Sequence, residues 1–84
     1  MTVELQIPDE VVRAIRLPEE EMKHELLVEL SMGLYARGLL SFGKARELAG
    51  MAEYDFGRAL GRRKIVRHYG PDELEDDLMY AGSE

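Results

Sequence analysis

The side chains of this 84-residue chain that could do chemistry are mostly cations gathered near its middle. Seven basic residues lie between Phe42 and His68: Lys44, Arg46, Arg58, Arg62, Arg63, Lys64 and Arg67. Three acids, Glu47, Glu53 and Asp55, share the stretch, which therefore carries +4. The rest of the chain holds four basic and fourteen acidic residues, hence −10, and the two parts give the net −6. Guanidinium and ammonium groups held on a small folded unit are suited to phosphate. A basic centre between acidic flanks is the charge pattern of a DNA-contacting unit with a separate protein-binding tail. The plainer alternative is a solvated surface on which the charges happen to segregate.

Acid–base catalysis has little to work with. His24 and His68 are the two histidines. His24 falls on an acidic helix face near Glu20, Glu21 and Glu25, where solvent exposure is expected. His68 stands beside Tyr69 in a β-like segment and reads as a structural hydrogen-bonding group. The acidic run over residues 72–77 lacks the alternating ligand spacing of a calcium loop and reads as a solvated helix face. No glycine loop that would cradle a phosphate is present. The sequence is read as no enzyme, with no cofactor, no metal site and no small-molecule substrate.

The basic residues must be positioned by the stretch 41–64. Ser41 can cap a helix over 44–49, its hydroxyl accepting from a first-turn backbone N–H. Gly50 follows where a helix stop needs positive φ. A second helix is predicted from about 52 to 63, with Phe56, Ala59 and Leu60 on its inner side. Helix, glycine turn and helix make the helix-turn-helix signature, whose second helix is offered to a major groove. Helical spacing then turns Glu53, Tyr54, Arg58 and Arg62 outward. Arg63 and Lys64 lie near the DNA backbone just beyond, Lys44 and Arg46 reach flanking phosphates, and Tyr54 reaches base edges. Arg46 stands where such a motif keeps a small residue, so either its stem runs out along the groove or the helices splay. Gly57 and Gly61, four apart, point to close approach of another backbone, with fraying as the alternative.

The run SFGKARELAGMAEYDF, followed by IVRHYGPDELEDDL, resembles a family of small prokaryotic helix-turn-helix proteins read as antitoxins of the VapB type. Gly43, Lys44, Ala45, Glu47, Leu48, Ala49, Gly50 and Met51 match its G-K-A-A-E-L-A-G-M run. Val66, His68 and Tyr69 match a hydrophobic-His-Tyr segment, and residues 72–78 match an acidic tail. Arg46 and Ala52 depart from the pattern, replacing a small residue and a capping serine. The resemblance covers a little over half the chain. It implies autoregulation by operator DNA, neutralisation of a partner toxin of the PIN-domain ribonuclease class, and an acidic tail used for toxin or subunit contact.

The remaining elements follow from local signals. Val3, Leu5 and Ile7 alternate with Glu4 and Gln6, as in a short strand with one apolar face. Such a strand needs a partner: residues 65–69 or the same strand of a second subunit. Pro8-Asp9-Glu10 and Pro18-Glu19-Glu20-Glu21 each open a helix, with proline and acids suiting a first turn. The second of these should run to about Arg37, with Gly38 as its stop. Met22, Leu26, Leu30 and Gly33 mark its expected core stripe, widened by Leu27 and Leu34, while Val28, Met32 and Tyr35 form a second flank. An arc this broad makes it the central core helix, with Leu26, Leu30 and Leu34 as core or dimer residues. A last helix is predicted from Pro71, with Leu74 and Leu78 as a thin seam.

These readings give one mainly α domain over 1–84: an N-terminal strand and core or dimerisation helices (1–38), the helix-turn-helix (41–64), and a short strand with an acidic C-terminal helix (65–84). The absence of cysteine excludes disulfides and thiolate metal sites. No leader or membrane-spanning run stands out, so a cytoplasmic protein is expected. The unpaired strand and broad helix predict a homodimer. Two alternatives stay open. One is an adaptor that uses the scaffold for protein contact without DNA, favoured by Glu53 and Asp55. The other is a ribbon-helix-helix-like binder that uses its N-terminal half, whose Thr2, Glu4 and Gln6 suit phosphate poorly.

Overall fold

The computed structural model describes residues 1–67. The predicted last helix, His68 and Tyr69 lie outside the described residues. Four helices follow in order: α1 (Asp9–Ala14), α2 (Glu19–Ala36), α3 (Phe42–Ala49) and α4 (Glu53–Arg62). The protein is mainly helical, and its starts are the expected ones. Pro8 and Pro18 sit at the entry of α1 and α2, with Asp9 and Glu10, then Glu19, Glu20 and Glu21, in the first turns. Ser41 caps α3: its Oγ accepts from the Lys44 N–H at 3.2 Å.

Three helix ends share one device. The N–H of Leu39 reaches the Leu34 carbonyl while that of Gly38 reaches Tyr35. Met51 and Gly50 repeat this on Arg46 and Glu47, and Ile65 and Lys64 repeat it on Leu60 and Gly61. These paired bonds satisfy the last orphan carbonyls and turn the chain through one left-handed residue. That residue is Gly38 (φ 72°), Gly50 (φ 68°) and Lys64 (φ 58°).

The core lies where α2, α3 and α4 meet. Val28, Met32 and Tyr35 come from α2, Phe42, Ala45 and Ala49 from α3, and Phe56, Ala59 and Leu60 from α4. Tyr35, Phe42 and Phe56 pack edge to face, with centroids 5.4–6.5 Å apart, which adds to their burial energy. Leu40, Met51 and Ile65 close the margins.

Three expectations need correction. First, α2 turns its other side inward. Val28, Ser31, Met32 and Tyr35 are buried, whereas Leu26 and Leu34 are half-buried and Leu30 is 37% exposed. The flank read as secondary, Val28, Met32 and Tyr35, is the buried one, and it includes Ser31, which hydropathy did not mark. Its hydroxyl is accommodated by donating to the Leu27 carbonyl at 2.7 Å, so a polar side chain sits in the core at little cost. Second, residues 3–7 form no strand, and among the described residues there is none. Among the described residues their backbone groups have no second extended segment to pair with: residues 65–67 are neither helix nor strand, and residues 68 and 69 of the expected partner lie outside the described residues. Third, no backbone approaches Gly57 or Gly61. Among the described residues, a β-carbon at either would meet nothing within 4 Å.

Candidate nucleic-acid interface

The basic residues are distributed over α3, α4 and the turn after α4, and the core dictates where they point. Phe56, Ala59 and Leu60 fix one side of α4 against Phe42, Ala45 and Tyr35, so the other side is left to solvent. There Tyr54 is 73% exposed, with the Arg58 guanidinium 5.8 Å from its ring centroid. The two line an open groove with Gly57, Gly61, Ile65 and Arg67. Because neither glycine carries a side chain, the groove floor is partly bare backbone.

The structure divides what helical spacing had grouped. Tyr54 and Arg58 come together in this groove. Arg62 and Arg63 instead line a second depression with His24 and Glu25 of α2. Arg63 is engaged there: its Nη1 donates to Glu29 Oε1 at 2.6 Å. That bond holds the Glu29 carboxyl below the usual carboxylate range and pushes Arg63 further up. Arg63 therefore fastens the end of α4 to α2. Arg62 makes no ion pair among the described residues, and Lys64 is exposed in its left-handed turn.

On α3, Lys44 is exposed and pairs with Glu47 at 3.3 Å. Arg46 is half-buried, and its Nη1 donates to the Met51 carbonyl at 3.4 Å. The Met51 N–H in turn reaches the Arg46 carbonyl at 3.0 Å. The arginine that stood in a small residue's place thus straps the Gly50 turn, with its stem along the helix and its head on the turn.

Sequence reading missed two anchors. Arg67 places its guanidinium 3.6 Å from the centroid of the Phe42 ring and its Nη2 3.5 Å from Glu53 Oε1. It lies over the Phe42 ring of the core and pairs with the acid at the start of α4. Glu29, the mate of Arg63, was one of many acids on α2. Neither had a local signal, since the partners are 25 and 34 residues away in the chain.

Comparison with known proteins gives a family. A family model described as an uncharacterised protein family (UPF0175) matches residues 1–83. The chain is 40% identical over 72 residues to a UPF0175 protein of Aeropyrum pernix, covering 86% of this chain and 81% of that one. A second UPF0175 protein of that organism is 36% identical over 73 residues, with 82% and 92% covered. One from Archaeoglobus fulgidus is 30% identical over 80 residues, with 95% and 90% covered. No solved structure gives a significant match.

Proposed function

Since this chain belongs to the UPF0175 family, whose name carries no activity, we propose a function from its own residues. It is an antitoxin-like regulator that binds duplex DNA through a helix-turn-helix over 41–64 and neutralises a partner ribonuclease of the PIN-domain class. The observation that supports the DNA half is the form of α3, the Gly50 turn and α4. The first helix is capped by Ser41, the turn is left-handed, and the inner side of α4 is buried. The outer side keeps Tyr54 and Arg58 exposed, while Arg62, in the depression beside α2, and Lys64, in the turn beyond, are exposed near the far end of α4. A unit of this form enters a major groove with its second helix. The toxin half rests on the resemblance alone, carried by the Gly43-to-Met51 run, by Val66, His68 and Tyr69, and by the acidic residues 72–78. Copurification with a co-expressed PIN-domain protein encoded beside it, and loss of that protein's RNA cleavage, tests this half.

DNA binding is tested by titrating labelled duplex from upstream of the coding sequence at several salt concentrations. Each phosphate contact contributes about 0.9 to the log–log salt slope. Arg58→Ala/Arg62→Ala should lower that slope by about 2 per subunit on any sequence. Tyr54→Ala should instead reduce discrimination between sequences. Identical slopes for wild type and double variant, or no binding by the wild type at low salt, would sink this half.

One observation favours a second reading. Glu53 and Asp55 are exposed in the first turn of α4, where they would meet phosphates. An adaptor that uses the same face for a basic protein partner has no such conflict. It predicts no duplex binding even at low salt.

A further inference from the structure

Residues 1–8 form neither helix nor strand. Val3 and Leu5 are each 70% exposed and Ile7 is 40% exposed. Among the described residues no backbone hydrogen bond reaches residues 2–7. The segment thus carries an alternating apolar row and, among the described residues, a line of donors and acceptors with no backbone partner, which is the open half of a β-ladder. We propose that residues 3–7 pair antiparallel with the same residues of a second copy of this chain, with Leu5 on the two-fold axis.

The register argument selects that occupant. With Leu5 opposite the partner's Leu5, Val3 faces the partner's Ile7 and Glu4 faces the partner's Gln6. All three apolar residues of each copy then fall on one face of the ribbon, and no like charges meet. Shifting by one residue turns one copy's apolar row to the opposite face. Centring on Glu4 sets two carboxylates opposite each other. Centring on Gln6 brings Pro8, which has no N–H to donate, into the ladder. The segment is therefore complementary to itself in one register, and Pro8 limits its length.

Area argues for more than a bare ribbon. A stable association buries about 800 Å² per partner, more than a few paired residues supply. The ribbon's apolar face needs a floor, and α2 has one to offer. Leu30, with half-buried Met22, Leu26 and Leu34, lies outside the core that Val28, Met32 and Tyr35 enter. The face expected to be core is thus the face that the second copy covers. This inference does not depend on DNA binding, and none of its readouts involves DNA.

The test is mass by light scattering at tens of micromolar, with cysteine crosslinking. The wild type should be a dimer. Leu5→Asp should be a monomer with unchanged helical circular dichroism, because Leu5 belongs to no part of the core. The chain has no cysteine, so Leu5→Cys adds a single thiol. Paired residues on facing strands lie within disulfide reach, and this variant should oxidise to a covalent dimer. Gln6→Cys should not, since two copies of residue 6 lie on the diagonal. A monomeric wild type, a dimer indifferent to Leu5→Asp, or equal crosslinking at 5 and 6 would overturn the proposal.

Discussion

Lys64 holds a backbone position that glycine occupies at two other helix ends. Its φ of 58° costs a side-chain-bearing residue about 1 kcal/mol. Lys64→Gly should therefore stabilise the fold by about that amount and raise the melting temperature by several degrees. If Lys64 contacts phosphate, the same change should lower the salt slope of duplex binding by about 0.9, so gain and loss would separate in two assays on one variant. Glu29 offers a second residue-level test. Its carboxyl is held below its ordinary value by the bond from Arg63. The pair's contribution is therefore complete above the ordinary carboxylate range and fades as pH falls through it. Both side chains are about half exposed, so the contribution is under about 1 kcal/mol. Urea unfolding should show wild type above Glu29→Gln at pH 7, with the two converging as pH falls below the ordinary carboxylate range.

At the scale of elements, ends were easier to read than faces. Prolines, acids, Ser41, Gly38 and Gly50 act through their own backbone or the adjacent turn, so each signal sits in the sequence beside its effect. The side that a helix buries is decided by distant partners. Nearly every side of α2 has apolar residues, and α3 and α4 took the side with Ser31. The same limit applies to the candidate site. Tyr54 and Arg58 were legible from spacing, but the ties of Arg46 to the turn, Arg63 to Glu29 and Arg67 to Phe42 exist only in three dimensions. Gly57 and Gly61 show the reverse case. They weaken α4 by about 1 kcal/mol each against alanine, and no neighbour among the described residues requires them. Gly57→Ala/Gly61→Ala should raise stability by up to about 2 kcal/mol in thermal unfolding. If a nucleic-acid backbone lies along the groove they floor, the stabilised variant should bind duplex more weakly than wild type.

For the molecule as a whole, the core of the described residues lies in the middle of the chain. Buried residues begin at Val28 and run to Leu60, and α1 contributes none. Val12, Ile15 and Leu17 are only half-buried, in a shallow cleft beside Met22. The basic centre identified from charge alone coincides with α3, α4 and the turn beyond, while the acidic start of the chain lies outside the core. Charge segregation was legible because it needs only counting, whereas the assembly depends on surfaces that count alike whether covered or bare.

The uncovered beginning of the chain has a consequence for its survival among proteases. Arg13 and Arg16 are exposed between the open segment and α2, and neither lies in the cooperative core, so trypsin can reach them without unfolding the protein. Cleavage there would sever the residues proposed to join two copies and leave α2, α3 and α4 intact. If two copies join as proposed, dilution would free the segment and concentration would shelter it, so lifetime would follow abundance. Limited trypsinolysis followed by mass spectrometry should show nicking at Arg13 and Arg16 that slows, relative to a Leu5→Asp control, as protein concentration rises from nanomolar to tens of micromolar. Equal rates for both proteins across that range would mean that the first residues gain no shelter from their own kind.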